Sequence, residues 1–98
     1  MTYRIELEDD VVGQVVRFPR ADKAAWDLCL AEIESDPWPR AGDGFEIEEL
    51  TAGDFFTDYV FTARWFPAAI LYLARDFGPD DATVRAHRGE VRIYRLVR

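Results

Sequence analysis

Hydrophobic and polar positions alternate in several short segments of the chain, and this two-residue period is typical of β-strands. Residues 2–7 follow the pattern first, and residues 45–50 and 59–66 follow it again further along. Residues 68–75 are instead almost continuously apolar, which is typical of a central strand covered on both faces. We therefore predict four strands in these segments.

A helical period separates the first of these strands from the second. Two aspartates are suited to cap a short helix over residues 9–18, which Pro19 ends. A second helix is predicted over residues 22–35, because apolar residues recur there at helical spacing: Ala25, Trp26, Cys29, Leu30 and Ile33. We expect Trp26, Leu30 and Ile33 to pack against alternate residues of the sheet, which are Phe61, Trp65, Ile70 and Tyr72.

Residues 82–98 supply either one more strand or a hairpin that folds at Arg88 and Gly89. The order of elements predicts a single α+β domain over residues 1–98. In it, two N-terminal helices pack on one face of a twisted, mainly antiparallel sheet of four or five strands. The chain has no apolar run of membrane-spanning length and no secretory signal pattern, and its single cysteine forms no internal disulfide. These features predict a cytoplasmic protein without a membrane span.

Charge is distributed unevenly along the chain. The formal net charge is −7, yet residues 82–98 hold five arginines and only one glutamate, whereas residues 1–81 hold 7 basic and 18 acidic side chains. Binding depends on the electrostatic potential near the binding surface, so the basic segment is able to bind anions. The negative net charge nevertheless opposes general binding of nucleic acids. The alternative is a solvated strand face on which Arg92, Arg95 and Arg98 pair with the glutamates of residues 46–49.

The basic segment also holds residues that are able to do chemistry. His87 is the only histidine, a residue type that often acts as a general acid or base, and Tyr94 lies seven residues beyond it. Each also has a plain structural interpretation, since His87 suits a surface turn and Tyr94 suits an ordinary sheet position. Cys29 lies on the apolar side of the second helix and is interpreted as packing. With one histidine and one cysteine, no metal site is expected, and no cofactor is predicted.

The order of elements and the basic segment together resemble the small toxins of the RelE/ParE superfamily, which belong to bacterial type II toxin–antitoxin systems. The resemblance begins with the strand at residues 3–7 and continues through the helical pair that closes at residues 36–39. Its most specific part is the last strand, where the pair His87-Arg88 is followed by Tyr94 six residues after Arg88.

The resemblance implies a ribosome-dependent mRNA endonuclease that inhibits translation without a metal ion. In such enzymes an RNA 2′-hydroxyl attacks the adjacent phosphate, so a base, a phosphate-binding cation and an acid are needed. By resemblance, Arg88 holds the phosphate, Tyr94 stacks or transfers a proton, and His87 is a candidate base. Arg64 would add a second cation. The remaining arginines would bind RNA or an acidic segment of a cognate antitoxin: Arg85, Arg92 and Arg95.

The chain departs from the nuclease pattern at three positions. Ala69 stands where the nucleases usually carry an arginine, and Val60 and Thr62 stand where lysines are frequent. Loss of one preorganised charge costs about 100- to 1000-fold in rate, so several losses could abolish catalysis. Two alternatives therefore stay open: a non-catalytic, ParE-like inhibitor of a protein such as DNA gyrase, or an inactive protein-binding module.

Overall fold

The computed structural model describes residues 2–51, 57–78 and 86–98, so the predicted binding residue Arg85 lies outside the described part of the chain. Two helices and six strands are present there. The helices are α1 (Asp9–Val15) and α2 (Arg20–Ser35). The strands are β1 (Tyr3–Leu7), β2 (Arg40–Gly42), β3 (Phe45–Thr51), β4 (Thr57–Ala63), β5 (Ala69–Asp76) and β6 (Gly89–Val97).

All six strands belong to one mixed sheet with the order β1-β6-β5-β4-β3-β2. β1 is parallel to β6, and every other neighbouring pair is antiparallel. The predicted α+β class is confirmed, whereas the predicted count of four or five strands is wrong. The additional strand is β2, which pairs with β3 across a tight turn where Gly44 has a φ of 84°. The prolines and glycines of this segment hide a three-residue edge strand from pattern analysis.

Both helices form where the sequence places them, with shifted ends. α2 begins at Arg20 instead of Asp22, because Pro19 has the extended backbone of an N-cap residue. α1 begins at Asp9 and ends at Val15, before the predicted end at Phe18. Its two aspartates lie in the first turn, where a negative charge interacts favourably with the helix dipole. In the part of the chain that the structure describes, neither helix is long and apolar enough to span a membrane.

One hydrophobic core joins the two helices to a single face of the sheet. Trp26, Cys29 and Ile33 of α2 are buried in it, together with Val11 of α1. The sheet contributes every second residue of its strands, and the largest fully buried ones include Phe61, Ile70, Tyr72, Val91 and Ile93. Trp26 and Ile33 share this core with the predicted sheet residues Phe61, Ile70 and Tyr72, while Leu30 and Trp65 are only partly buried. Each large buried side chain contributes about 1.5 to 3 kcal/mol to the stability of the fold.

The prediction that β5 is covered on both faces is wrong for the described residues. Ile70, Tyr72 and Ala74 are buried against the helices, but the alternate residues Leu71 and Leu73 are only half-buried. The helices therefore leave the opposite face of the sheet without a covering layer in the described ranges. We call it the open face.

Candidate functional site

The open face carries charged side chains on three neighbouring strands, β1, β6 and β5. Alternation along β1 places Arg4 and Glu6 there, and alternation along β6 places Glu90 and Arg92 there. Arg75, at the end of β5, lies beside Glu90 in the register of the sheet. These residues are close neighbours although up to 88 sequence positions separate them, because β6 lies between the first strand and β5.

A β-bulge adds two more residues to this face. Leu71 is opposite Arg95 and Tyr72 is opposite Ile93, so Tyr94 is an extra residue on β6. Because Ile93 and Leu96 are both buried in the core, the two residues between them, Tyr94 and Arg95, both lie toward the open face. The bulge therefore brings a phenol and a guanidinium side by side.

We define the basic cluster as the four open-face arginines of β1, β6 and β5, which are Arg4, Arg75, Arg92 and Arg95. Two glutamates lie among them. Glu90 accepts hydrogen bonds from Arg4 at 2.5 Å and from Arg75 at 2.9 Å, and Glu6 lies 3.4 Å from Arg92. Four arginines against two glutamates leave the cluster positively charged. Arg92 and Arg95 are the exposed members, with 52% of the Arg92 side chain accessible to solvent.

Glu90 is the electrostatic centre of the cluster. Its side chain is only 14% exposed. Burial by itself raises the pKa of this carboxyl group, but the hydrogen bonds from Arg75 and Arg4 outweigh burial and hold the pKa below its usual range. Glu90 is therefore ionised at neutral pH, and it holds the guanidinium groups of β1 and β5 in fixed positions.

Besides Glu6, Glu90 and the Asp58 carboxylate near Tyr94, the open face carries two more carboxylates on the other side of the sheet. Glu46 and Glu48 of β3 are exposed there, opposite Thr62 and Val60 of β4. β3 is three strand spacings from β6, or about 14 Å. Since the Debye length at physiological ionic strength is about 8 Å, these glutamates are largely screened from an anion bound at Arg92 or further toward β1. The net charge of the chain therefore does not describe the field at the basic cluster.

Tyr94 is half-buried at the centre of the open face. Burial raises the pKa of its hydroxyl group, and the nearby carboxylate of Asp58 raises it further. The phenol is therefore protonated at neutral pH and is able to donate a hydrogen bond. Its ring, beside Arg95, is suited to stack on a planar group such as a nucleobase.

His87 and Arg88 lie at a different place, immediately before β6 begins. The Arg88 amide donates to the carbonyl of Thr2, and its guanidinium lies 5.9 Å from the centre of the Tyr3 ring. Nδ1 of His87 is buried and has no hydrogen-bond partner among the described residues. From Gly89 to Tyr94 the strand advances five residues, or about 16 Å. The structure thus groups His87 with Arg88 but separates both from Tyr94.

A hydrogen-bonded group of aromatic residues lies next to Arg88. The Tyr3 hydroxyl donates to Asp76, at the end of β5, and accepts a hydrogen bond from the indole of Trp38 at 2.9 Å. Burial raises the pKa of Tyr3, and its bond to Asp76 raises it further. These contacts tie β1 and β5 to the segment before β2.

Arg64, the predicted second cation, is far from the basic cluster. It follows β4, and its nearest carboxylate is that of Asp43 at 3.7 Å; both side chains are largely exposed. Together with Gly44, Phe45 and Glu46 it lines a shallow pocket of about 450 Å³ at the opposite end of the sheet. Thus the structure brings together Arg92, Tyr94 and Arg95 from the predicted set, and Arg64 stands apart from them.

Sequence reasoning missed Arg4 and Arg75 as members of the cluster. Each occupies a polar position in an alternating strand, but the pattern of one strand does not reveal its neighbours in the sheet. The suggested pairing of the C-terminal arginines with the glutamates of residues 46–49 is wrong, because β6 lies between β1 and β5. Arg92 instead contacts Glu6, and Arg98 lies 3.8 Å from Asp22 of α2.

Cys29 and the acidic residues offer no competing site in the described ranges. Cys29 is fully buried in α2, and burial raises the pKa of its thiol to about 12, so the reactive thiolate is scarce at neutral pH. No group of three metal-ligating side chains is found among the described residues.

Comparison with known proteins adds no relative. No protein-family model, no curated protein and no solved structure matches the chain.

Proposed function

We propose that this chain is a toxin-like protein of the RelE/ParE kind that binds RNA through the basic cluster and Tyr94 without cleaving it. The observation that carries the proposal is the grouping of Arg92, Tyr94 and Arg95 on one exposed sheet face. The family part of the proposal rests on the sequence resemblance at residues 3–7, at residues 36–39 and at His87, Arg88 and Tyr94.

The chemistry of these side chains suits single-stranded RNA. Arginine donates paired hydrogen bonds to phosphate oxygens, and an aromatic ring beside it provides a stacking surface for an unpaired base. The bulge at Tyr94 places the ring next to Arg95, so one nucleotide is able to contact both. Arg92 lies two residues before Tyr94 on the same strand, about 7 Å along it, and adds a second exposed guanidinium on the same face.

Binding without cleavage is favoured by the positions of the groups that would transfer protons. Cleavage needs a base and an acid at one phosphate, within hydrogen-bond reach of its attacking and leaving oxygens. His87 precedes β6 and Tyr94 lies well along it, so the two side chains are too far apart to serve the same phosphate. Ala69 also supplies no cation from β5 at the position where the nucleases carry arginine.

A cognate antitoxin is the second partner of this proposal. An acidic antitoxin segment would bind the same exposed arginines and exclude RNA from them, which is a mode open to a disordered partner that folds on binding. The expected effect in a bacterial host is growth arrest on induced expression, relieved when the antitoxin gene is expressed with it.

The test measures binding of a fluorescein-labelled single-stranded RNA by anisotropy. The double variant Arg92→Ala/Arg95→Ala should weaken binding at least about tenfold, since phosphate contacts supply most non-specific affinity. The matched control is Arg17→Ala, which removes an exposed arginine after α1, away from the basic cluster. Equal affinity of the double variant and the control would refute the proposal.

The same proteins, added to a translation extract, distinguish binding from cleavage. We expect inhibition of translation with intact message. If the wild type cuts the message and the variants Arg88→Ala and Tyr94→Phe leave it intact, the protein is a nuclease instead. Unimpaired translation combined with inhibition of DNA gyrase supercoiling would favour the ParE-like alternative.

A further inference from the structure

The outer edge of β1 has backbone hydrogen-bonding groups that pair with no described strand. The Glu8 amide donates to the carbonyl of Ile93, and the Arg88 amide donates to the carbonyl of Thr2, both at 3.0 Å. Even-numbered residues at β1 therefore direct their backbone groups toward β6. Because successive residues of a strand alternate in this respect, Tyr3, Ile5 and Leu7 direct theirs away from the sheet. No strand in the described ranges pairs with that edge.

The sequence of this edge is complementary to itself in the antiparallel direction. If two copies of β1 pair about a twofold axis at Ile5, Arg4 of each copy lies opposite Glu6 of the other. On the helix side of the sheet, Ile5 lies opposite Ile5, and Tyr3 opposite Leu7. We propose that this edge is a homodimer interface, in which two copies form one continuous sheet through antiparallel pairing of their β1 strands.

The backbone geometry agrees with this axis. Pairing about Ile5 makes hydrogen-bonded pairs of Ile5 with Ile5 and of Tyr3 with Leu7, which are the residues whose backbone groups point outward. The interface then contains about six backbone hydrogen bonds. Arg4 and Glu6 form the non-hydrogen-bonded pairs, in which opposite side chains approach most closely. Opposite charges thus meet at the positions where their interaction is strongest.

Charge also selects this register over its neighbours. A shift by two residues in one direction places Arg4 opposite Arg4, and a shift in the other direction places Glu6 opposite Glu6. Like charges directly opposite one another destabilise a strand pair. A shift by one residue exchanges the two faces of the strand and exposes its apolar side chains.

Arg4 retains donors for a second carboxylate. Its Nη2 atom contacts Glu90 at 2.5 Å and Glu6 of its own chain at 3.4 Å. Its Nε atom is buried and has no acceptor among the described residues, whereas 40% of the side chain is accessible to a carboxylate from outside. Glu6 of the second copy would lie beside this guanidinium and supply a further acceptor.

The dimer would join the two open faces across the twofold axis. The β6 strands of the two copies would be three strand spacings apart, or about 14 Å, so both basic clusters would lie on one surface. The interface does not depend on the proposed RNA binding, since it is argued from the backbone groups of β1 and from the Arg4–Glu6 pairs; Arg4 is the residue that it shares with the basic cluster.

Sedimentation velocity of the full chain, from micromolar to millimolar concentration, tests the interface without RNA. The wild type should reach twice the monomer mass of 11.3 kDa. Ile5→Pro should remain monomeric and folded, because the Ile5 amide points away from β6 and donates to none of residues 2–51, 57–78 and 86–98. A wild type that stays monomeric throughout, or an Ile5→Pro variant that still dimerises, would overturn the proposal.

A second pair of variants tests the charges in case Ile5→Pro does not fold. Glu6→Arg places arginine opposite Arg4 of the second copy and should weaken dimerisation about tenfold or more. Glu48→Arg makes the same charge change at an exposed position of β3, away from the edge, and should dimerise as the wild type does. Equal dimerisation constants for the two variants would overturn the assigned register. Circular dichroism confirms that each variant is folded.

Discussion

Glu90 accepts a hydrogen bond from Nε of Arg75 at 2.9 Å, and this contact joins the end of β5 to the beginning of β6 on the open face. The same carboxylate accepts a second bond from Arg4 of β1. One largely buried carboxylate therefore connects three strands. The arrangement orients arginines that would otherwise repel one another, and it leaves Arg92 and Arg95 as the exposed cations.

Glu90→Gln should lower the free energy of unfolding by about 1 to 3 kcal/mol at neutral pH, because it removes the charge from two hydrogen bonds. The pKa of Glu90 is lower in the folded than in the unfolded state, so its stabilisation is present above the unfolded pKa and is lost as the pH falls through the folded pKa. Urea denaturation should therefore show a difference between wild type and variant that shrinks below about pH 4. The exposed Glu46→Gln is the control, and a difference independent of pH would contradict this account.

Gly89→Ala should destabilise the fold strongly. A Cβ atom at Gly89 would lie 2.1 Å from the carbonyl oxygen of Arg75 and 2.7 Å from the Tyr3 ring, so the backbone of β5 must move. We expect a loss of about 2 kcal/mol or more, which lowers the melting temperature of a domain this size by about 8 to 16 °C.

The matched control is Gly13→Ala in α1. A Cβ atom there meets nothing within 4 Å, and alanine is the better helix former. This variant should gain about 0.5 to 1 kcal/mol. If the melting temperatures of both variants shift in the same direction, close packing at Gly89 is not the cause of the destabilisation.

Tyr72→Phe should be far more costly than Tyr94→Phe. The Tyr72 ring is fully buried, and its hydroxyl donates to the carbonyl of Pro37 at 2.6 Å, so the variant leaves a buried acceptor without its partner. The expected loss is about 1 to 3 kcal/mol. Tyr94 is half-exposed, and its variant should cost less than about 0.5 kcal/mol. Denaturation midpoints in urea compare the two, and equal losses would contradict the difference in burial.

Periodicity predicted the helices and many of the core residues, because the apolar period of each helix or strand is visible in its own residues. Trp26 and Ile33 recur at helical spacing, and burial follows from that spacing alone. β2 was missed because three residues between prolines and glycines carry no period. It pairs with β3 through the tight turn at Gly44, and three residues are too few to show a period of their own.

The candidate site was predictable only in part, because its residues come from strands that are distant in the sequence. The basic segment identified Arg92, Tyr94 and Arg95, which the structure groups together on β6. The cluster is completed by Arg4 and Arg75, whose proximity follows from strand order and not from the pattern of any one strand. In the sequence, the bulge that places Tyr94 beside Arg95 is marked only by a change of phase, from aliphatic residues at 91 and 93 to one at 96.

The salt dependence of RNA binding provides the most specific check of the basic cluster. Each phosphate contact releases condensed counterions, so the logarithm of the association constant falls linearly with the logarithm of the salt concentration, with a slope of about −0.7 per contact for single strands. Arg92→Ala and Arg95→Ala should each reduce the magnitude of this slope by roughly that amount. Tyr94→Ala should instead weaken binding by about 1 to 3 kcal/mol with the slope unchanged, because stacking involves no counterions. Anisotropy titrations across a range of salt concentrations separate the two contributions, with Arg17→Ala expected to match the wild type in both affinity and slope. A slope that changes as much for Tyr94→Ala as for Arg95→Ala would show that the ring acts by holding the arginine and not by stacking on a base.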